Sequence, residues 1–333
     1  MPRRKVQTIK PFTVALALSI LAATVGSWTG GGRAASPDAP DTVTIAYQPG
    51  IGYATLLVIK AQHTLDKQFP GTSFAWTLLA NGATIRTGMI AGQIQFGAGG
   101  VAPFLIGWDR GAGLRLVAAM NEMNLWLVTR DPSVKSLRDL KPGMKIGMPG
   151  VDSIQAIVLR RAAEKAFGNP HALDTEIVSI EHPVGVQALL HGQLTAHLSS
   201  PPFQFEEVAA GARIILRSYD VFGESTFNSV FTTDKIAAAY PRLVDAMFRD
   251  LTEATAFINT HPKETAAILS AEAHGTPGAD QFLAWMTRPG VRYTTTPRGF
   301  RTYAEFMHAI GLLSKVPASM CEIELPALRC SGG

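Results

Sequence analysis

The sequence has little cysteine: Cys321 and Cys330 are the two cysteines in 333 residues. A metal site needs more ligands than two cysteines offer. In a protein exported to an oxidising compartment, two cysteines this close together predict a disulfide. Such a bond would close a small loop and fix the C-terminal tail.

The sequence also lacks the short motifs of common catalytic sites. The eight histidines show no HExxH or other metal spacing, and there is no GxSxG nucleophile elbow and no Walker phosphate loop. His182, His191 and His197 lie close in sequence but on different predicted elements, so we interpret them as core or surface residues. The sequence therefore predicts a protein that is not an enzyme and has no metal site and no cofactor.

Excess positive charge is missing outside the first 34 residues. The formal net charge is +4, but residues 1–34 hold five basic residues and no acidic one. The remaining chain carries 25 basic and 26 acidic residues, a net charge of −1. Proteins that bind nucleic acid keep their basic excess in the folded part, so we expect no nucleic-acid partner.

Long hydrophobic runs are scarce, and the clearest is Phe12–Val25 (FTVALALSILAATV). It is short for a membrane-spanning helix, which needs about 20 apolar residues. It follows a basic segment and precedes small residues, which is typical of a secretory signal. We expect residues 1–34 to be a signal peptide, with an uncleaved anchor as the alternative. No cysteine lies near the cleavage region, so the sequence predicts a periplasmic protein without a lipid anchor.

Strands and helices are expected to alternate after residue 41. Alternating residues predict strands such as Thr42–Tyr47, and apolar residues at helical spacing predict helices such as Tyr53–Lys67 and Ile154–Phe167. From Lys235 onward the pattern is mostly helical. This order predicts an α/β fold in which parallel sheets are covered on both faces. Two such sheets predict two lobes with a cleft between them.

Two segments repeat one order of elements about 100 residues apart. Gly92–Phe104 (GQIQFGAGGVAPF) and Gly192–Phe203 (GQLTAHLSSPPF) each predict a strand, a loop of small residues and a helix start. Ligands of open parallel sheets lie at the carboxyl ends of the strands, and helix N-termini favour anions. We therefore expect these loops to face a ligand.

The chain resembles the solute-binding proteins of ABC importers. More narrowly, it is similar to the nitrate/sulfonate/taurine group, which shares its fold with thiamine-pyrimidine precursor binders. The segments that carry this resemblance are TIAYQPGIGYATLLVIKAQ, ATIRTGMIAGQIQFGAGGVAPFL, SLRDLKPGMKIGMPGVDSIQAIVLRRAAE and VQALLHGQLTAHLSSPPF. The similarity runs from about Thr42 to Thr233.

The resemblance implies a type II periplasmic-binding-protein fold, with two lobes, a hinge and a central ligand cleft. Lobe one would comprise residues 41–128 and 225–333, and lobe two residues 129–224, with chain crossings near Leu125–Asp131 and Glu224–Thr232. It also implies a monomer that carries a small-molecule ligand to an ABC permease, which is served by a separate ATPase subunit. The lobes would close over the ligand by a hinge motion.

The family holds small oxyanions largely with backbone amides and hydroxyls at helix N-termini. The candidate ligand-binding residues at the matching positions and on the neighbouring loops are Gln48, Gly50, Tyr53, Asn81, Gly99, Gly100, Val101, Asp152, Ser153, Ser199 and Ser200. For any one serine the alternative is a simple helix cap, and for any one glycine it is turn geometry. Aromatic residues that could line an apolar part of the pocket are Tyr47, Tyr53, Trp126, Phe203 and Phe222.

Asp152 departs from the family pattern, in which a glycine typically precedes the serine. A carboxylate beside a bound anion is repulsive unless it is neutralised. Asp152 would either cap the helix or face the amine of a zwitterion such as taurine. The predicted cleft loops contain no arginine, because Arg86 falls one turn into its helix; this favours a ligand with one negative charge or none.

Aliphatic sulfonate or taurine is therefore the first choice of ligand. Nitrate or bicarbonate, a thiamine-precursor pyrimidine, and a ligand-sensing role remain as alternatives. A pyrimidine synthase of the same fold is the least favoured reading, because its relatives carry a cysteine cluster.

Overall fold

The computed structural model describes residues 38–325. The predicted signal peptide and Cys330 lie outside this range, so the signal peptide and the disulfide stay predictions. Among the described helices, none combines the length and the apolar character needed to cross a membrane.

Strands and helices alternate through most of the described chain. The strands are β1 (Thr42–Tyr47), β2 (Ser73–Leu78), β3 (Phe96–Gly100), β4 (Leu114–Ala119), β5 (Asn121–Met123), β6 (Trp126–Thr129), β7 (Ile146–Met148), β8 (Ile177–Ser179), β9 (Ala196–Ser199), β10 (Arg213–Arg217), β11 (Asn228–Thr233) and β12 (Val291–Tyr293). The helices are α1 (Ala54–Gln62), α2 (Thr64–Gln68), α3 (Gly82–Ile90), α4 (Val101–Asp109), α5 (Ile154–Phe167), α6 (His182–Leu190), α7 (Phe203–Ala209), α8 (Tyr219–Phe222), α9 (Asp234–Ala239), α10 (Pro241–Thr260), α11 (Pro262–Glu272), α12 (Ala279–Met286) and α13 (Phe300–Ala309).

The strands form two five-stranded sheets and a two-stranded ribbon. The first sheet has the order β2-β1-β3-β11-β4, the second has the order β10-β6-β9-β7-β8, and β5 pairs with β12. The prediction of parallel sheets is wrong in one respect, because each sheet holds one reversed strand. β11 runs antiparallel to β3 and β4, and β6 runs antiparallel to β9 and β10. In both cases the reversed strand is the one by which the chain enters from the other sheet.

The chain passes between the sheets earlier than the sequence predicts. Trp126–Thr129, expected as part of a crossing, is strand β6 of the second sheet, so the first passage lies between β4 and β6. The extended segment expected as the second crossing is strand β11 of the first sheet. Backbone pairing on both sides explains the difference, because each segment satisfies its N–H and C=O groups inside a sheet.

Two local predictions are also corrected. The helix expected over Tyr53–Lys67 is broken at His63, whose left-handed backbone (φ 53°) separates α1 from α2. The small-residue loop expected at 98–100 is the end of β3, which leads directly into α4. Small residues serve close packing there: a Cβ on Gly99 would lie 3.0 Å from the Gln48 amide nitrogen.

An aromatic cluster beneath α4 anchors the first sheet to the C-terminal helices. Phe104 of α4 packs against Phe231 of β11 and Phe300 of α13, with ring centroids 5.4 and 6.1 Å apart. All three side chains are almost fully buried. Burial of each such ring stabilises the fold by roughly 1.5–3 kcal/mol, so the cluster fixes the position of α4.

Candidate functional site

A polar cavity of about 30 Å³ lies where elements of the two sheets meet. This volume holds about two water-sized groups, which suits the head group of a small anion. The polar cavity is lined by Gln48, Pro49, Tyr53, Ala80, Gly82, Gly100, Pro103, Pro149, Ser153, Ile154, Gln155, His182, Ser200, Phe227 and Asn228. Several of these residues follow the carboxyl ends of β1, β2, β7 and β9, the positions at which the sequence predicts ligand-facing loops.

The N-terminus of α5 points amide groups at this cavity. Ser153 is the N-cap: its hydroxyl accepts from the Ala156 N–H at 3.2 Å and donates to the Gly150 carbonyl at 2.6 Å. Within residues 38–325, the backbone N–H groups of Ile154 and Gln155 have no hydrogen-bond partner. Free amides and the helix dipole together favour an anion.

The start of α4 approaches the start of α5 across the cavity. Gly100 is the N-cap residue of α4, and no side chain caps this helix. A Cβ on Gly100 would lie 3.1 Å from Ile154 Cγ2, so a larger residue would press against the Ile154 side chain at the start of α5. Val101 begins α4 but does not line the cavity. Two helix N-termini therefore meet at one polar space.

Two buried side chains offer further donors to the cavity. Asn228 is fully buried, and its Nδ2 has no partner in the described chain, while its Oδ1 accepts from the Tyr53 hydroxyl at 3.4 Å. Ser200 is also buried and lines the cavity, and its hydroxyl makes no side-chain hydrogen bond to the described residues. An unpaired buried polar group costs about 1–3 kcal/mol, which a bound acceptor would recover.

Gln48 and Tyr53 line the cavity from the segment after β1. The Gln48 amide donates to the Ala98 carbonyl at 3.4 Å, and the missing side chain of Gly99 leaves it room. Gly99 thus supports the site without lining it. Burial raises the pKa of Tyr53 above its ordinary value, against the opposing effect of a hydrogen bond with Gln48, so the phenol stays protonated.

His182 lines the cavity and continues into a buried hydrogen-bonded chain. One ring nitrogen lies 3.0 Å from the Gln155 amide, and the other lies 3.2 Å from His197, which in turn contacts Glu207. His182 and His197, which the sequence predicts as core or surface residues, are both buried, and the structure adds that they contact each other. Burial and the neighbouring His197 lower the pKa of His182 well below its ordinary value, so the ring is neutral. Ser199 donates to Glu207 at 2.6 Å and is not part of the cavity lining.

Asp152 and Asn81 have protein partners of their own. Asp152 forms an ion pair with Arg86, with 2.9 Å between Oδ2 and Nη2, so its charge is neutralised and it does not cap α5. Asn81 is the N-cap of α3, and its side chain accepts from the Thr84 N–H at 3.0 Å. Neither residue lines the polar cavity.

A larger apolar chamber of about 280 Å³ adjoins the polar cavity and shares Gln48 and Pro49 with it. The apolar chamber is lined by Tyr47, Gln48, Pro49, Gly50, Ile51, Leu57, Leu78, Pro202, Phe203, Glu206, Leu269, Glu272, Ala273, Pro277, Phe282 and Trp285. Of the aromatic residues considered from the sequence, Tyr47 and Phe203 line the chamber, whereas Trp126 and Phe222 line neither space. Gly50 has φ 122° and ψ 162°, a conformation open essentially to glycine alone.

Glu206 gives the apolar chamber one half-buried carboxylate. It makes no hydrogen bond or ion pair to any residue between 38 and 325, whereas Glu272, on the same wall, is paired with Lys60. Burial, and to a smaller extent the neighbouring Glu207, raise the pKa of Glu206 above its ordinary value. An amine beside Glu206 would relieve both effects.

A sequence model of the NMT1-like family matches residues 36–272, which is well over half of the chain. The chain belongs to the NMT1-like family. This confirms the resemblance drawn from the sequence. No curated protein matches the sequence.

Solved structures show that the fold is that of periplasmic binding proteins. The alkanesulfonate-binding protein SsuA from Xanthomonas axonopodis pv. citri, bound to MOPS, has a TM-score of 0.68 at 20% identity, covering 83% of this chain and 96% of its own. SsuA from Escherichia coli, an aliphatic sulphonate binding protein, has a TM-score of 0.64 at 19% identity, covering 84% and 95%. The nitrate-binding protein NrtA from Synechocystis PCC 6803 has a TM-score of 0.68 at 12% identity, covering 85% and 84%. At these identities the likeness shows the fold alone.

The sequence did not predict three polar side chains of the cavity: Gln155, His182 and Asn228. Gln155 follows the predicted cap Ser153 directly, so its place in the first turn of α5 was a usable signal. Asn228 lies in a stretch that the sequence predicts as a crossing, and only the pairing of β11 with β3 brings it to the cavity. No group of three metal-ligating side chains occurs in residues 38–325.

Proposed function

We propose that the protein is the extracytoplasmic solute-binding component of an ABC importer and that it binds a small organic anion or zwitterion between its two lobes. The polar cavity carries this proposal, because two helix N-termini and the unpartnered Asn228 amide all present donors to it. Its described lining contains no lysine or arginine. Dipoles and neutral donors without a full positive charge suit one negative charge better than two.

Aliphatic sulfonate or taurine fits the pair of spaces best. The polar cavity has room for a sulfonate head group, and the adjoining apolar chamber has room for a carbon chain. Glu206 stands where the ammonium group of an aminosulfonate would be stabilised. The SsuA structures, whose proteins bind sulfonates, support this choice.

Nitrate or bicarbonate is the second candidate. The small volume of the polar cavity favours it, since a planar inorganic anion would leave the apolar chamber empty. The similarity to NrtA supports it.

Thermal unfolding tests these alternatives. The mature chain from residue 35 would be refolded without ligand and heated with taurine, ethanesulfonate, butanesulfonate, nitrate, bicarbonate or an aminopyrimidine. A ligand at 100 times its Kd stabilises by about 2.7 kcal/mol, a shift of a few degrees in Tm. A shift with the sulfonates supports the first choice, and a shift with nitrate alone supports the second. A shift with the aminopyrimidine alone, or with none of the six, contradicts the anion proposal.

A further inference from the structure

A continuous chain of buried side chains runs from α7 to the polar cavity. Glu207 is fully buried, and its two oxygens are bonded to the Ser199 hydroxyl and to His197 Nδ1. His197 Nε2 lies 3.2 Å from His182 Nδ1, and His182 Nε2 lies 3.0 Å from the Gln155 amide. We call Glu207, His197, His182 and Gln155 the histidine relay. Its first two members are out of reach of the cavity, and its last two line it.

The fold keeps this relay in place. A Cβ on Gly185 would lie 2.6 Å from His197 Nε2, so a glycine at this point of α6 makes room for the imidazole. Phe203 stacks on His182, with ring centroids 5.5 Å apart and planes 28° apart. Both rings are therefore held at fixed positions, and what can change within the relay is the placement of protons and the orientation of the Gln155 amide.

We propose that Glu207 and His197 are specificity-determining residues that make the site bind its anion together with one proton, which the histidine relay takes up. This inference rests on the proposed function, because it concerns the same cavity. On this proposal, Glu207 and His197 determine whether Gln155 presents a hydrogen-bond donor or an acceptor to the cavity, although neither of them contacts the ligand.

The proton positions follow from the donors available. With both imidazoles neutral, His197 Nδ1–H donates to Glu207 and His182 Nδ1–H donates to His197 Nε2. His182 Nε2 then accepts from the Gln155 NH₂ group, which leaves the Gln155 carbonyl oxygen for the cavity. That oxygen is an acceptor and opposes an anion.

One proton added from solvent reverses the direction of the hydrogen bonds that link His197, His182 and Gln155. His197 becomes an imidazolium beside the Glu207 carboxylate, and its Nε2–H donates to His182 Nδ1. His182 Nε2–H then donates to the Gln155 oxygen, and the Gln155 NH₂ group turns toward the cavity. The cavity gains a donor, the relay gains one positive charge, and the entering anion balances that charge.

Other charged groups around His182 are occupied or point elsewhere. Asp152 is paired with Arg86, and Arg160 of α5 is paired with Asp174. Glu181 is exposed, and Glu206 lines the apolar chamber. The titratable or charged residues on the elements that pack against His182 are Lys145, Asp152, Arg160, Arg161, Glu164, Lys165, Glu181, His191, His197, Glu206 and Glu207. Of these, His197 makes the direct contact with the His182 ring.

Calorimetry of the mature chain tests the relay with methanesulfonate and nitrate, which keep their charge from pH 5.5 to 8.5. Titration in two buffers of different ionisation enthalpy gives the number of protons taken up. We expect about one proton per anion near pH 7 and a loss of affinity approaching tenfold per pH unit as pH rises. Glu207→Gln and His197→Gln should reduce the proton uptake to near zero and flatten the pH profile. His191→Gln, at the residue that follows the helix of His182, should keep both.

The other possible outcomes contradict either the histidine relay alone or the relay together with the proposed anion site. Anion binding without proton uptake, or the same uptake in Glu207→Gln as in the unaltered chain, overturns the relay and leaves the proposed function intact. An equal loss of affinity at every pH in Glu207→Gln would show a purely structural residue and also overturns the relay. Failure of both anions to bind at any pH overturns the relay together with the proposal of an anion site.

Discussion

Arg86 of α3 and Asp152 of the loop before α5 form an ion pair that joins the elements of the two sheets, with 2.9 Å between Nη2 and Oδ2. The side chains are 13% and 26% exposed, so solvent screens the pair only in part. The pair explains how a carboxylate would be tolerated beside the proposed anion site. α3 follows β2 of the first sheet, and Asp152 follows β7 of the second sheet. A motion that opens the proposed cleft would therefore separate the two charges.

Loss of Arg86 should weaken anion binding. Arg86→Gln removes a contact of the closed cleft and leaves the Asp152 carboxylate unpaired, and both effects disfavour the anion. We expect about a tenfold loss of affinity, measured by calorimetry. The double variant Arg86→Gln, Asp152→Asn should recover part of this loss, since it removes the repulsion. Arg301→Gln, which breaks an exposed pair with Glu305, is the matched control and should change nothing. Equal affinities in Arg86→Gln and Arg301→Gln would contradict the role of the pair.

Asn228 should discriminate between an anion and a neutral ligand. Asn228→Asp keeps the oxygen that accepts from Tyr53 but replaces the free amide with a negative oxygen. We expect anion affinity to fall by more than a hundredfold, since a hydrogen bond to a charged group contributes about 1.5–3 kcal/mol and the new charge is repulsive. Tyr53→Phe, which removes the partner but not the amide, should lower affinity far less. Similar losses in the two variants would show that the Asn228 amide does not contact the ligand.

Glu206 should select for an amine. Glu206→Gln should weaken taurine binding about tenfold relative to ethanesulfonate, which lacks the amine. The exposed Glu264→Gln on α11 serves as the control. Competition calorimetry with the two sulfonates measures the ratio directly. An unchanged ratio would remove the zwitterion from the proposed ligands and leave a plain anion.

Acid should destabilise the ligand-free protein through His182. The folded state lowers the pKa of His182, so below about pH 6.5 the unfolded chain binds a proton that the folded chain resists. Stability from this group is therefore complete above pH 6.5 and is lost as pH falls below that value, by up to about 1.4 kcal/mol per unit. Denaturant unfolding at pH 7.5 and 5.5 should show a smaller acid loss in His182→Gln than in the unaltered chain. An equal acid loss would mean that His182 is not buried neutral.

The bounds of strands and helices were predictable where neighbouring residues in the sequence determine them. The bounds of β1 and α5 match the sequence prediction, because their apolar spacing is regular and Ser153 marks where α5 begins. The Asn81 cap was predictable for the same reason. The split at His63 was not, since a left-handed histidine carries no glycine-like signal.

Contacts across the fold could not be read from the chain. His182 meets His197 only because α6 packs beside β9, and Arg86 reaches Asp152 only because the two sheets face each other. In both cases the partner lies on another element, so the pairing depends on tertiary packing. Several loops that the sequence predicts to face a ligand do line the polar cavity, whereas the contacts of His182 with His197 and of Arg86 with Asp152 appeared only in the structure.

A crystal structure grown with 2-bromoethanesulfonate would locate the ligand in the site, because the bromine and sulfur positions fix its orientation. We expect sulfonate oxygens within about 3.2 Å of Asn228 Nδ2 and of the Ile154 or Gln155 amide nitrogens, with the bromine directed into the apolar chamber. A sulfonate bound away from the starts of α4 and α5, or an empty polar cavity at saturating ligand, would contradict this expectation.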